Sequence, residues 1–112
     1  MTRFALIALL LAPFSAHAEG VWTTMSGEEI MVALTGKKLR YKDASQVFRA
    51  SGKTLSTPGR ARKLGEWRVE DNEYCSQWPP QGLWACYHMD RSDDKVRFIG
   101  TGDDITLGTY VE

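Results

Sequence analysis

The chain has 112 residues, equal numbers of acidic and basic side chains, and two cysteines. That length allows one domain with a modest core and excludes a second one. Residues 19–112 contain both cysteines but one histidine, His88. These three side chains are too few for a structural zinc site, which needs four ligands.

The first residues have the three parts of an export signal. Met1-Thr2-Arg3 is a positive start, Phe4–Ala12 is an apolar run, and Ala16-His17-Ala18 ends in the small residues that a signal peptidase reads. The run is too short for a membrane span, so an uncut anchor is disfavoured. We therefore predict a signal peptide at residues 1–18, one domain at residues 19–112, and a periplasmic or secreted location.

One short helix is predicted at the start of the domain. Ser26 and Glu29 have the spacing of a capping box, in which the serine caps the first turn and the glutamate reaches back. Gly36 marks the end of the helix. Three apolar side chains share one face of this helix: Ile30, Ala33 and Leu34.

From Lys37 onward, short runs of alternating apolar and polar residues are separated by turn residues. This pattern is typical of an antiparallel sheet in which consecutive strands are neighbours. We predict a mainly β fold: an antiparallel meander of about seven strands that can curl into a small barrel, with one N-terminal helix.

Cys75 and Cys86 are predicted to form a disulfide, because an even cysteine count in an oxidising compartment indicates a bridge. If the two face each other across a hairpin, Tyr74 faces Tyr87 and Glu73 faces His88. Asp71-Asn72 is predicted to be the two-residue turn of another hairpin, which precedes the disulfide hairpin along the chain. The core face then carries Trp67, Val69, Tyr74, Ala85, Tyr87, Met89, Val96 and Phe98.

The following hairpin is predicted to turn through residues 91–94, which pairs Met89 with Val96 and Tyr87 with Phe98. The opposite face of the three hairpins is mostly polar and includes both cysteines. The disulfide is therefore expected on the less buried side of the sheet. That polar face carries Glu66, Arg68, Glu70, Glu73, Cys75, Cys86, His88 and Arg97.

The loop between the cysteines is the leading candidate for ligand binding. Two prolines stiffen it and two tryptophans offer flat apolar faces for a sugar, a proline or an aromatic group. The alternative is that both tryptophans pack over the disulfide and cover a small core. The predicted ligand-binding residues are Trp78, Pro79, Pro80 and Trp84.

A second candidate is a cross-strand row of Glu73, His88 and Arg97 on the polar face, where a carboxylate beside a histidine could exchange a proton. Alternating charges on a solvated face also support a sheet without any chemistry. Because no serine or free cysteine is singled out as a nucleophile, we predict no catalytic residue and favour a noncatalytic protein.

The charges are unevenly placed: residues 37–68 hold ten Lys or Arg against two acids, and residues 69–112 hold nine acids against three Lys or Arg. This dipole could steer an anionic partner, or the strands could lay both signs on one solvated surface. Aspartates crowd two turns without the spacing of a calcium loop, so no metal or cofactor is predicted. Nucleic acid is an unexpected partner for an exported protein without a binding motif.

The segments Gly65–Val69, Tyr74–Pro80 and Trp84–Tyr87 resemble small exported bacterial proteins of unknown function, through a Cys-Ser-x-Trp-Pro-Pro and Trp-x-Cys-Tyr pattern. The resemblance implies no activity. Barrel-shaped periplasmic protease inhibitors are similar in size, export and single disulfide. We expect a noncatalytic binding or accessory protein that presents the Trp-Pro-Pro loop to a peptide, protein or envelope ligand. The alternatives are a small hydrolase or isomerase using Glu73 and His88, or an inhibitor of secreted enzymes.

Overall fold

The structure is a computed structural model that describes residues 21–112. The predicted signal peptide lies outside the described residues. The elements are β1 Thr23–Thr24, α1 Gly27–Leu34, β2 Lys38–Arg40, β3 Ala44–Phe48, β4 Lys53–Pro58, β5 Lys63–Glu70, β6 Glu73–Gln77, β7 Ala85–Ser92, β8 Lys95–Ile99 and β9 Ile105–Tyr110.

Strands β2 to β9 form a closed antiparallel barrel. Each strand pairs with the next along the chain, and β9 returns to β2 through Leu39–Tyr110 and Arg40–Thr109. The two-residue strand β1 extends the sheet by pairing with Asp90 and Arg91 of β7. The predicted mainly β meander that curls into a barrel, with one short helix, is confirmed. The nine strands exceed the expected number of about seven, and one of the additional strands is β1, whose two residues are too few to show alternation in sequence.

Helix α1 has the predicted capping box. The Glu29 amide donates to the Ser26 hydroxyl oxygen and the Ser26 amide donates to the Glu29 carboxylate, at 3.3 Å and 2.8 Å. Gly36 follows the helix with a φ of 75°, the left-handed conformation that ends helices. None of the helices in residues 21–112 is long and apolar enough to cross a membrane.

The helix closes one end of the barrel. Its amide at Gly27 bonds the Asn72 side chain in the β5–β6 turn, and the Tyr110 hydroxyl at the end of β9 donates to the Ala33 carbonyl. The apolar helix face joins a core built around Phe48, whose ring meets Trp67 and Tyr74 edge-on. The buried core residues are Met25, Ile30, Ala33, Leu34, Leu39, Phe48, Trp67, Tyr74, Met89, Val96 and Phe98.

The disulfide hairpin has the predicted register. Cys75 faces Cys86 and Tyr74 faces Tyr87, and the bridge lies on the outer face of the barrel, away from the aromatic core. Cys75 is nevertheless fully buried, whereas Cys86 is exposed. A disulfide of this kind fits a protein that is not cytoplasmic.

The hairpin before it also follows the prediction: Val69 faces Tyr74, and Asp71 and Asn72 both have positive φ, at 52° and 61°. Positive φ at both central residues is the requirement of a type I′ turn, one of the common two-residue hairpin turns. One predicted core residue of the neighbouring strand is wrong, because Ala85 begins β7 at the open end of the barrel and is exposed.

The register predicted for the β7–β8 hairpin is wrong by two residues. Met89 faces Phe98, not Val96, because the turn is the two-residue Asp93-Asp94 with Asp93 at φ 53°, and not a four-residue loop. A shift of two preserves which side chains face inward. It does change the neighbours on the outer face, since Arg97 now lies opposite Asp90.

The end of the barrel opposite α1 is open, and we call it the mouth. In an antiparallel meander alternate loops lie at the same end. The turns β3–β4, β5–β6 and β7–β8 lie at the helix end, so the other four connections form the rim of the mouth. These are residues 41–43, 59–62, 78–84 and 100–104.

Candidate functional site

A cavity of about 270 Å³ opens at the mouth of the barrel. Near α1 the inward side chains are mostly aliphatic and fill the interior, whereas near the mouth they are aromatic or polar and leave space. The lining combines ring faces with hydroxyl and amide groups. It consists of Tyr41, Gln46, Tyr74, Ser76, Trp78, Tyr87, Phe98 and Thr106.

A directed chain of hydrogen bonds runs beneath this cavity. The buried Thr54 hydroxyl donates to the Val47 carbonyl at 2.7 Å, so it accepts from the Gln46 side-chain amide at 2.8 Å. Gln46 then accepts the Tyr41 hydroxyl proton at 2.6 Å and gives its second amide hydrogen to the Tyr74 hydroxyl oxygen at 3.1 Å.

The chain ends on a donor that faces the cavity. The Tyr74 oxygen accepts from Gln46, and its hydroxyl donates no hydrogen bond within residues 21–112, so its proton is available to a group inside the cavity. A buried hydroxyl without an acceptor costs free energy that a bound oxygen would recover. The cavity therefore suits a group that carries a carbonyl or carboxylate oxygen beside an apolar ring.

The tyrosines of the site stay protonated at neutral pH. Burial raises the pKa of Tyr41 and of Tyr74 above the ordinary value, and the neighbouring Tyr74 adds to the effect on Tyr41. Burial also raises the pKa of Tyr87, and the negative charge of the nearby Asp104 carboxylate adds to the effect. These side chains act as hydrogen-bond donors and not as bases under physiological conditions.

The structure separates the two tryptophans of the predicted binding loop. Trp78 is half-buried on the cavity wall and packs against Gly65 of β5. Trp84 lies on the outer face, where the Arg68 guanidinium stacks on its ring at 3.9 Å. The two rings therefore do not form one platform. Pro79 and Pro80 between them are exposed on the rim.

Gly65→Ala should move Trp78. A Cβ at this position would lie 2.6 Å from Trp78 Cε3 and 2.5 Å from the Gln77 carbonyl oxygen, closer than atoms can approach. We expect the free energy of unfolding to fall by about 1–3 kcal/mol, as for other overpacked sites. Urea unfolding and tryptophan fluorescence measure the two effects. Leu64→Ala on the same strand is the control, and wild-type stability and emission in Gly65→Ala would contradict this packing.

The structure brings together two of the three residues of the predicted acid–base row. His88 Nε2 lies 3.2 Å from Glu73 Oε2 on the outer face. Arg97 is not part of the row: its Nη2 and Nε atoms bind Asp90 Oδ2 at 3.0 Å and 3.2 Å, owing to the two-residue shift of β8. The mouth cavity and the larger surface grooves are lined by other residues than Glu73 and His88.

The uneven charge of the sequence is only partly carried by the strands: β2–β5 hold five Lys or Arg against two acids, β6–β9 hold three against two, and five of the nine acids of residues 69–112 lie in turns. On β4 and β5, Lys53–Glu66 and Arg68–Glu70 form ion pairs. At the rim, the exposed loop beside the Trp-Pro-Pro segment carries free cations. Within residues 21–112 no ion pair involves Arg60, Arg62 or Lys63.

Sequence patterns did not single out the polar lining of the cavity. One signal was available: Gln46 alternates in phase with the apolar Phe48, and a glutamine on the apolar face of a strand indicates a buried polar network. The partners Thr54 and Tyr74 lie on two other strands and Tyr41 lies in the β2–β3 connection, so only the fold brings them to Gln46.

The fold and the cavity define the class of this protein: a single-disulfide, eight-stranded antiparallel barrel with one end closed by a helix and the other end open. No family model, curated protein or solved structure matches the chain. The resemblance to small exported bacterial proteins stays a prediction.

Proposed function

We propose that this protein is a noncatalytic binding protein of the periplasm or the secreted space, and that its ligand site is the mouth cavity. The observation that carries the proposal is the Tyr74 hydroxyl, which is buried at the cavity floor and donates no hydrogen bond within residues 21–112. A hydrophobic cavity with a few converging polar groups is the usual form of a ligand site.

The size of the cavity limits what it holds. About 270 Å³ is below the roughly 300–1,000 Å³ of sites that enclose drug-sized ligands, so the cavity takes one ring-sized group of a larger ligand. The rest of the ligand lies on the rim. There it meets the exposed Pro79 and Pro80, Leu83 at 77% exposure, and the cations of the neighbouring loop.

The two tryptophans of the Trp-Pro-Pro loop have different roles in this proposal. Trp78 is a wall of the cavity and contacts the bound group, whereas Trp84 packs under Arg68 and supports the outer face. We therefore propose Trp78, Pro79 and Pro80 as ligand contacts and assign Trp84 to stability. A peptide, protein or envelope ligand with an aromatic or acyl group and an anionic neighbour fits this surface.

Inhibition of a secreted enzyme is a second candidate. A loop tied at its base by a disulfide and stiffened by two prolines is preorganised, and preorganised loops lose little entropy when they enter an enzyme cleft. The exposed Leu83 at the loop tip favours this candidate. The hydrolase or isomerase alternative rests on the Glu73–His88 contact alone.

Binding of N-acetyl-tyrosine amide and of benzoate tests the proposed site. We expect these probes to shift the NMR signals of Ser76 and Thr106, and Ser76→Leu, which fills the cavity, to weaken binding by about tenfold or more. Ser45→Leu makes the same substitution on the outer face of β3, away from the cavity, and is the matched control. Tyr74→Phe removes only the hydroxyl and should weaken the probes by several-fold.

If neither probe shifts these signals at millimolar concentration, or if Ser76→Leu binds them as the native protein does, the cavity is not a ligand site. The Tyr74→Phe variant keeps the test valid if Ser76→Leu fails to fold, since it adds no atoms to the interior.

A further inference from the structure

Strand β9 extends past its neighbour at the mouth. The β2–β9 ladder contains the Arg40–Thr109 pair, and the Val111 amide bonds the Lys38 carbonyl at 3.0 Å. The next hydrogen-bonded pair of the ladder would join Lys42 to Leu107. It does not form, because the Tyr41 amide bonds the Ala44 carbonyl and closes the β2–β3 turn there.

The main-chain groups of Leu107 therefore face an open edge. The Tyr110 amide bonds the Asp94 carbonyl and the Gly100 amide bonds the Asp104 carbonyl, so the even-numbered residues of β9 bond β8. The odd-numbered residues point the other way. Thr109 meets Arg40, whereas Leu107 has no backbone partner on this side among residues 21–112.

A groove of about 510 Å³ lies along this edge. Ile105 and Leu107 are 54% and 48% exposed on its β9 side, so apolar side chains flank the free main-chain groups. Two cations and one acid line the opposite side, a net positive charge. The lining residues are Arg40, Tyr41, Lys42, Asp43, Ile105, Thr106, Leu107 and Thr109.

The groove and the mouth cavity adjoin each other. Tyr41 and Thr106 line both, with Thr106 on the inward face of β9 between the outward Ile105 and Leu107. Side chains of an added strand would alternate in the same way. A residue beside Thr106 would enter the cavity, and its neighbours would lie outside beside Leu107 and Arg40.

We propose that the free edge of β9 at residues 105–107 binds an extended peptide segment of a partner protein as an added strand. This inference rests on the proposed function and names its ligand class. Main-chain bonds to Leu107 hold the segment, one aromatic side chain fills the mouth cavity, and an acidic side chain next to it meets Arg40 and Lys42. Strand addition to an open edge is an established mode of peptide recognition.

The experiment selects a displayed library of random heptapeptides on the native, disulfide-bonded protein. The best peptide is synthesised unmodified and with single N-methyl groups, each of which removes one main-chain donor. We expect one N-methyl position within the binding register to weaken binding about tenfold and its neighbours, whose amides point away, to weaken it little. This arm uses only the native protein.

Leu107→Pro removes the Leu107 amide hydrogen, which the barrel does not use, and Leu107→Ala is the matched control that keeps it. We expect Leu107→Pro to lose about tenfold in peptide affinity, Leu107→Ala to lose less than about threefold, and both to bind N-acetyl-tyrosine amide as the native protein does. Replacing Arg40 and Lys42 by Glu should weaken acidic peptides and spare the small probe.

Equal affinity of all N-methylated forms, or native affinity of Leu107→Pro for the peptide, would overturn strand addition while the small-probe result still supports the cavity. Failure of the small probes alone would remove the proposed function. A dimer that forms through this edge, that excludes the peptide and that Leu107→Pro abolishes would replace the peptide by a second copy of the chain.

Discussion

Replacing Cys75 by Ala and Cys86 by Ser is expected to lower the free energy of unfolding by about 3 kcal/mol. The bridge joins residues 11 positions apart, and releasing a loop of this length restores roughly that much conformational entropy to the unfolded chain. Alanine suits the fully buried position 75 and serine the exposed position 86. Urea unfolding of the variant and the native protein measures the difference.

The barrel should survive this substitution. Strand β7 also pairs with β8 over five residue pairs and with β1, so the hairpin does not depend on the bridge alone. Native protein unfolded in a reducing agent is the control and should match the variant. A difference below about 1 kcal/mol would show that the unfolded chain gains little freedom when the bridge is lost.

Alkaline pH is expected to destabilise the protein through the tyrosines under the mouth cavity. Burial raises the folded-state pKa of Tyr41 and Tyr74, while in the unfolded chain both titrate near the ordinary value of 10.0. At a pH between the unfolded-state pKa and the folded-state pKa, the unfolded chain has lost the tyrosine protons that the folded protein keeps. Their contribution to stability is complete below pH 10 and falls above it, by roughly 1.4 kcal/mol per tyrosine for each pH unit.

Urea unfolding at a series of pH values from neutral to strongly alkaline measures this slope. Tyr74→Phe and Tyr41→Phe should each reduce the slope of stability against pH by the contribution of one tyrosine. Each variant also loses a hydrogen bond at neutral pH, which lowers its stability at every pH. His88→Ala is the control, because the imidazole lies exposed on the outer face. A slope unchanged in both tyrosine variants would mean that their hydroxyls titrate freely in the folded protein.

The mouth cavity and the free edge of β9 would recognise different parts of a ligand. Trp78 and the tyrosines line the cavity proposed to bind a ring, so recognition there would depend on side chains. The edge at Leu107 offers main-chain groups, so the proposed strand addition there uses bonds that any peptide backbone can form. A ligand that uses both would be recognised by its extended shape and by one aromatic residue.

Local and pairwise features of the molecule follow from the sequence alone. The capping box at Ser26 predicts where α1 begins, because capping involves residues within one helical turn. Asp71-Asn72 predicts a tight turn, and the single possible disulfide makes Cys75 and Cys86 partners across a hairpin. Since side chains alternate along a strand, this one pair sorts inward from outward positions on the four strands β5 to β8, and Trp67, Tyr74 and Phe98 are buried as predicted.

Only the tertiary structure decided the features that depend on more than two elements. The alternation of side chains is the same for two registers that differ by two residues, so it does not choose between them. The two-residue turn at Asp93-Asp94 fixes the register in which Arg97 pairs with Asp90 and is not part of the Glu73–His88 row. Closure of β9 on β2 created both the cavity and the free edge at Leu107, because it brings together strands from opposite ends of the chain. Alternation in a sequence records which way a side chain points but not which distant strand lies beside it.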